Sequence, residues 1–256
     1  MANPIAYIGI KALTLFQLTG ELLQLFASTI YWSKHTFRNV DKIFHFMVKM
    51  GVNTLPIATF TSLFVGMVMV LQTGYTLEKF GMAESLGAIV PIAMARELGP
   101  VLTALLLAGR IGAAITAEIG TMTVSEEVDA LKTLGINPVR YLAMPRFLAC
   151  LCMLPVLVIY ADVIGILGGA SVAATYFHIP TKIYFDRMAE SLQFIDIIKG
   201  LTKAAVFGAT IAIVGCRYGL EAKGGAAGVG EATTRSVVCS FITIYILNYF
   251  ITRLWL

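Results

Sequence analysis

Charge is scarce in this sequence. Only 13% of its 256 residues are Asp, Glu, Lys or Arg, while 58% are hydrophobic, and mean hydropathy is +0.82. Soluble domains carry about a quarter charged residues and under half apolar ones. The shortage excludes an ordinary soluble enzyme, a disordered chain and a nucleic-acid-binding module, and it identifies an integral membrane protein. The net charge of +4 is too small for a phosphate-tracking patch and fits Lys and Arg gathered on one side of a bilayer. Histidine is reduced to His35, His45 and His178, none at ligand spacing from another. The cysteines, Cys150, Cys152, Cys216 and Cys239, sit in apolar runs with no second ligand pair near the first two. Both facts argue against a metal centre, and the cysteines read as buried thiols rather than a disulfide framework. No G-x-x-x-x-G-K-[ST], G-x-S-x-G or H-E-x-x-H occurs. Any nucleotide hydrolysis that drives this chain is therefore the work of another polypeptide. The glycine-rich run from Lys223 to Gly230 lacks the preceding strand and the following Lys-Ser/Thr of a phosphate loop, and reads as a flexible cytoplasmic turn.

What the sequence has is long apolar runs, and a helix needs about 20 such residues to cross the hydrocarbon core. No charge falls between Lys49 and Glu78, which places a first span near 55–74. A second runs over 85–117 with Arg96, Glu97 and Arg110 inside it. A third covers 147–176 around Asp162, a fourth opens near Ile197 with Lys199 and Lys203 and ends at Cys216, and a fifth lies between Arg235 and Arg253. The N-terminal segment differs. Lys11, Thr14, Gln17, Glu21, Gln24 and Ser28 recur every three or four residues, a polar stripe on an otherwise apolar helix, which predicts an amphipathic helix in the membrane interface rather than a span or a cleaved signal peptide. Ten Lys and Arg residues in the segments on the N-terminal side, against Lys79, Lys182, Arg187 and Arg253 opposite, predict N-terminus in and C-terminus out.

Three features stand out from the apolar background. Glycines cluster in the spans (Gly109 and Gly112; Gly165, Gly168 and Gly169; Gly208), first of all a packing signal. Arg96-Glu97-Leu98-Gly99-Pro100 lies near the bilayer midplane, where Pro100 breaks the hydrogen bond to the Arg96 carbonyl; the pair reads equally as a substrate-facing site or as an adjacent ion pair locking helix packing. Lys199 and Lys203 share a helix face behind Asp196, with snorkelling to the outer interface the default and a lining for an anionic headgroup the sharper alternative. Between spans two and three, Thr123-Val-Ser-Glu126 spells a capping box. Val124, Val128, Leu131 and Leu134 then form an apolar face, and Gly135 and Pro138 end the helix. Glu126, Glu127 and Asp129 make its other side acidic, unlike a membrane-surface helix, which favours docking into a protein groove.

Several of these runs resemble one family. The stretch ELGPVLTALLLAGRIGAAITAEIGTM from Glu97 to Met122, then EEVDAL from Glu126 to Leu131, Asn137-Pro138, Pro145-Arg146 and ATTRSVV from Ala232 to Val238 are similar to the MlaE/YrbE permeases, with the likeness weakest before about residue 50. The resemblance implies the membrane subunit of an ABC transporter in an MCE system, moving phospholipids between bacterial inner and outer membranes and maintaining outer-membrane lipid asymmetry. It implies an all-α integral membrane fold of one domain, 1–256: an interfacial elbow region over 1–48, a five-span core over 49–256, and a coupling helix over 123–135.

The partners it implies are a second copy of the chain, a cytoplasmic ABC ATPase (MlaF-like), a STAS-domain protein (MlaB-like) and a periplasmic MCE-domain hexamer (MlaD-like), with ATP and magnesium bound by the ATPase and no cofactor, metal or nucleic acid on this chain. Carried over by position, Met69, Leu77, Phe80, Glu97 and Leu98 match lipid-contacting positions and Lys203 and Arg235 match basic ones, while Glu126, Glu127, Asp129, Leu131 and Leu134 fall on the ATPase-coupling helix. Two other classes were weighed. An ion-coupled carrier of an amphipathic substrate, using Arg96, Glu97 and Asp162 as a relay, predicts internal repeats that are not found. A membrane-embedded lipid enzyme lacks its catalytic constellation.

Overall fold

The computed structural model describes residues 4–34 and 40–255, with the side chains of 4–12, 14, 15 and 18 outside the description. The described residues form helices and no strand: α1 (Pro4–Ser33), α2 (Val40–Lys79), α3 (Ala83–Val124), α4 (Glu127–Thr133), α5 (Val139–Thr175), α6 (Thr181–Ser191), α7 (Phe194–Leu220) and α8 (Gly225–Trp255). Five of them, α2, α3, α5, α7 and α8, are long and apolar enough to cross a membrane. These are the five spans expected from hydropathy, each extended beyond its expected bounds at one end or both. The shortest, α7, has 27 residues, about 40 Å of helix, enough for the hydrocarbon core and both headgroup layers.

Between apolar helices in lipid the hydrophobic effect offers no preference for a protein neighbour, so close van der Waals packing decides which faces meet. Glycine provides it here. Gly66 of α2 abuts the carbonyl of Gly165 on α5, Gly168 abuts the carbonyl of Leu63, Gly208 of α7 abuts that of Cys150, and Gly200 abuts that of Ala95; a methyl at any of these would collide with backbone. One apolar core fills the space among α3, α5 and α7 (Leu107, Leu154, Leu157, Phe207, Ile211) and a second lies under α6 (Val70, Leu86, Val90, Tyr184). The last span is different: only Ser236, Ser240 and Ile244 of α8 are buried, and Val238, Ile242, Tyr245, Ile246 and Tyr249 are exposed.

Helix α3 is not regular. Met94–Leu98 and Ala108–Gly112 are π-helical turns, each holding an extra residue. The break expected at Pro100 thus takes the form of a widened turn immediately before it, a way for a helix to absorb a missing donor.

Three expectations change. Thr123 does not cap a helix; it lies in the last turn of α3, where its hydroxyl donates to the carbonyls of Ile119 (2.9 Å) and Gly219 (3.0 Å). The short helix starts instead at Glu127, after Glu126 at φ 62° in the left-handed region, so it covers Glu127–Thr133 and not 123–135. Its end is as expected: Gly135 has φ +74°, and the amides of Gly135 and Ile136 reach the carbonyls of Lys132 and Leu131 at 3.0 and 2.9 Å, a Schellman motif. The glycine-rich run is a tight turn only at Gly224 and Gly225, both with positive φ; the rest is the first turn of α8, because small residues let it sit against α3 and the turn below it.

The connection between the third and fourth spans carries a helix, α6, that polar composition hid. It buries Tyr184 beside Leu86 and Val90.

The expectations for Lys11 and Thr14 on α1 lie outside the described side chains, and His35 lies outside the described residues. Helix α1 is not among the five spans. Leu22 and Leu25 pack on the large core, and Phe26 meets Phe147 edge-on at 5.9 Å. Its polar stripe reaches protein: the Arg217 guanidinium of α7 bonds the carboxylate of Glu21. That bond, with the Gln17 amide behind it, holds the Glu21 carboxyl below the usual carboxylate range.

Candidate functional site

Two polar centres interrupt the apolar bundle, one near each end of α3. The first is built on Glu97. Asn248 and Thr252 stand four apart on α8, hence on one face, and Lys203 projects from α7. Lys203 Nζ donates to Glu97 Oε1 at 2.6 Å, to Thr252 Oγ1 at 2.8 Å and to the carbonyl of Arg96 at 3.1 Å. That carbonyl is the one Pro100 leaves without its helical donor, so the break in α3 creates the acceptor that the lysine fills. Asn248 Nδ2 donates to Glu97 Oε2 at 3.1 Å. The lysine side chain is 3% exposed and the glutamate 40%: the cation is buried beneath a carboxylate that opens outward.

Arg96 turns the other way. Its Nε lies 2.7 Å from Oδ1 of the fully buried Asp196, whose Oδ2 accepts the amide of Gln193 at 3.2 Å as the cap of α7. Arg96 and Glu97 are therefore not paired with each other. Each is tied to α7, so the packing lock exists, but between spans two and four. Lys203 neither snorkels nor stands free, because burial makes three acceptors worth more than a route to water; Lys199 bonds the carbonyl of Trp255 at 3.2 Å. The close approach that permits this is Gly200 against Ala95.

The second centre is built on Glu118. Its carboxylate takes Lys49 of α2 on one oxygen and Arg146 Nη2 of α5, at 3.2 Å, on the other. Arg146 is buried, gives Nη1 to the carbonyl of Leu142 at 2.9 Å and stacks its guanidinium 4.5 Å from the ring centre of Phe46. Below it, α4 buries Val128 and half-buries Leu131, while Glu126, Glu127 and Asp129 are exposed and Leu134 is 74% exposed. The helix therefore presents an acidic, partly apolar surface that none of the described residues covers; Asp129 holds Lys132 at 2.7 Å.

The predicted residues sort accordingly. Glu97, Leu98 and Lys203 come together. Met69, Leu77 and Leu98 half-bury against the same apolar cluster, and Phe80, one residue past α2, is 73% exposed. Arg235 does not join them. It pairs with Glu231 at 2.5 Å on the exposed first half of α8, 13 residues before Asn248 and so about 20 Å away along the helix. Asp162 is separate too: its Oδ1 lies against Gly99 with no hydrogen-bond partner among the described residues, and it does not link Arg96 to Glu97 as a relay requires.

Sequence reasoning missed Asn248, Thr252 and the Lys49–Glu118–Arg146 hub. Glu118 alone was findable, as an acid inside an apolar stretch. An apolar cavity of about 690 Å³ between α1, α5, α7 and α8, lined by Leu22, Phe26, Phe147, Val206, Ala209 and Leu247 among others, was also unannounced.

Comparison with known proteins fits this architecture. A family model described as Permease MlaE matches residues 43–254. A probable ABC transporter permease protein of Rickettsia typhi is 44% identical over 204 residues, covering 80% of this chain and 79% of that one. One of Synechocystis is 41% identical over 210 residues, covering 82% and 79%. The chloroplastic protein Trigalactosyldiacylglycerol 1 of Arabidopsis thaliana is 34% identical over 248 residues, 96% of this chain and 68% of that one.

Proposed function

Because the chain belongs to the MlaE permease family, as a multi-pass ABC transporter permease subunit that works with an ATPase partner, we propose that it is the lipid-binding half of an ATP-driven phospholipid transporter. Two copies meet in the bacterial inner membrane, N-terminus in the cytoplasm and C-terminus in the periplasm, and bind phospholipid between them. The transporter maintains the lipid asymmetry of the outer membrane. The observation that carries this reading is the Glu97 carboxylate, anchored by a buried lysine and open at the edge of α8, the least buried of the five spans, whose exposed face is apolar. Charged groups at membrane depth face a cavity or a partner, and a lipid needs both a polar anchor and an apolar wall. Glycerolipid as the cargo class is supported by the name of the Arabidopsis relative, which contains trigalactosyldiacylglycerol.

In this mechanism Met69, Leu77, Phe80 and Leu98 contact acyl chains, and Glu97 with Lys203 holds the polar end. Arg235, at the opposite end of α8, meets the headgroup only in another conformation. The elbow helix α1 lies in the interface. The chain hydrolyses nothing; ATP and magnesium reside on an MlaF-like ATPase, with an MlaB-like STAS protein beside it and an MlaD-like MCE hexamer receiving the lipid on the periplasmic side. Glu126, Glu127, Asp129, Leu131 and Leu134 seat α4 in the ATPase, and its movement reaches spans one and three through Glu118.

The test is reconstitution of the complex in liposomes. Glu97→Ala should abolish ATP-dependent lipid movement while ATPase and permease still co-purify, and Glu127→Lys with Asp129→Lys should break co-purification. Undiminished transport by the first variant, or normal assembly and hydrolysis in the second, overturns the corresponding assignment.

A further inference from the structure

At the α4 end of the bundle two cavities meet. One, of about 320 Å³, is lined by Trp32, Lys42, Asn137, Arg140 and Tyr141. The other, of about 410 Å³, shares Lys42 and Tyr141 and continues along Phe46, Met122 and Leu142 to Arg146, with Asp41 and His45 at its edge. Arg146 is committed to Glu118. Lys42 and Arg140, by contrast, make no ion pair with any described carboxylate, Asp41 included.

Each of these two cations lies over an aromatic ring instead. Lys42 Nζ is 3.5 Å from the centre of the Tyr141 ring and the Arg140 guanidinium 5.4 Å from that of Trp32. A stacked guanidinium keeps its N–H edge for an acceptor, and an ammonium over a ring keeps the N–H bonds that point away from it. Asn137 Oδ1 accepts the amides of Val139 at 2.9 Å and Arg140 at 3.4 Å, which leaves its NH2 as a further donor. Two cations and an amide therefore line a polar cavity that opens into an apolar one, with Trp32 and Tyr141 in its walls, ring types enriched at membrane–water boundaries. This is the donor set of a phosphodiester attached to acyl chains.

We propose that the double cavity binds an anionic phospholipid from the leaflet on the α4 side, its phosphate between Lys42 and Arg140 and a chain along Phe46, Met122 and Leu142. It is not the Glu97 site. Met122 lies 25 residues beyond Glu97 on α3, about 37 Å along the helix. Its walls include the end of α1 and the Gly135–Asn137 turn that terminates α4, so an occupant holds the acidic helix against the elbow.

The test is native mass spectrometry of the purified permease–ATPase complex offered phosphatidylglycerol, cardiolipin and phosphatidylethanolamine. Wild type should retain one anionic phospholipid per chain in preference to phosphatidylethanolamine. Lys42→Ala with Arg140→Ala should cut that preference at least tenfold, while Lys42→Arg with Arg140→Lys keeps it. Lipid held at Glu97 cancels in the comparison between variants. If the double alanine variant fails to assemble, Lys42→Gln alone should cut the preference at least threefold. Equal retention by wild type and variants overturns the site. Inorganic phosphate that displaces the lipid and raises the unfolding temperature as much as phosphatidylglycerol does reassigns it to a free anion and overturns the lipid.

Discussion

The centres at the two ends of α3 are made from the same parts and differ in one. Each sets a nearly buried cation, Lys203 or Arg146, under a carboxylate that is 40% or 35% exposed. At Glu118 the second oxygen is held by another cation, Lys49; at Glu97 it is held by the neutral amide of Asn248. Both bonds end on an ionised oxygen, but only the one from Lys49 adds the attraction of opposite charges. The inner centre is thus fastened on both sides and joins spans one, two and three. The Glu97 centre, joining spans two, four and five, has a side held by an amide alone, which under the proposed function an incoming headgroup displaces. One is a clamp and the other a latch.

The hardest way to break this contrast is to remove the buried cation. Lys203→Met should destabilise by about 2–4 kcal/mol, less than stranding a fully buried charge costs because Glu97 is 40% exposed, read as a lowered unfolding midpoint in detergent. Lys203→Met with Glu97→Gln should recover much of it. Glu118→Gln should cost about 1–3 kcal/mol because one hydrogen-bonding amide remains where two cations need a charge, and it should lower stability and transport together. Asn248→Ala sharpens the distinction: a loss of about 1 kcal/mol or less in the same midpoint, yet a marked loss of ATP-driven lipid release. Were Asn248→Ala to destabilise as much as Lys203→Met, the latch would be a second clamp.

Acid provides a smaller test outside both centres. The Glu21 carboxyl titrates below its unfolded value because Arg217 bonds its charged form, so its contribution is complete above the unfolded pKa and disappears as pH falls through the lowered one. The unfolding temperatures of wild type and Glu21→Gln should differ at pH 7 and converge toward pH 3. The smallest effect is expected at Tyr184, whose buried hydroxyl has no partner among the described residues and whose phenol is pushed up to about 12 by burial. Tyr184→Phe should be neutral or stabilise by up to about 1 kcal/mol.

The spans were legible because apolar length is a one-dimensional property, and so was the break at Pro100, a local one. The partners of the charges were not. Asp196 is 100 residues from Arg96 and Lys203 is 106 from Glu97; adjacency made Arg96 and Glu97 look like a pair when each is held by the same distant helix. The capping motif misled for a related reason. The Thr123 hydroxyl has acceptors in its own helix and on α7, Ile119 and Gly219, and no local pattern reveals the second. Helix α6 escaped because its apolar contacts rest on Tyr184 and its neighbours amid polar residues.

The carbonyl that Pro100 orphans and Lys203 fills has a mechanical meaning. Pulling the fourth span off the second near Gly200 would bare that oxygen, together with the lysine, to hydrocarbon, so through any transport cycle those two segments travel as one piece. Under the proposed function, flexing falls to the second widened turn at Ala108–Gly112 and to the final helix, of which only Ser236, Ser240 and Ile244 are buried.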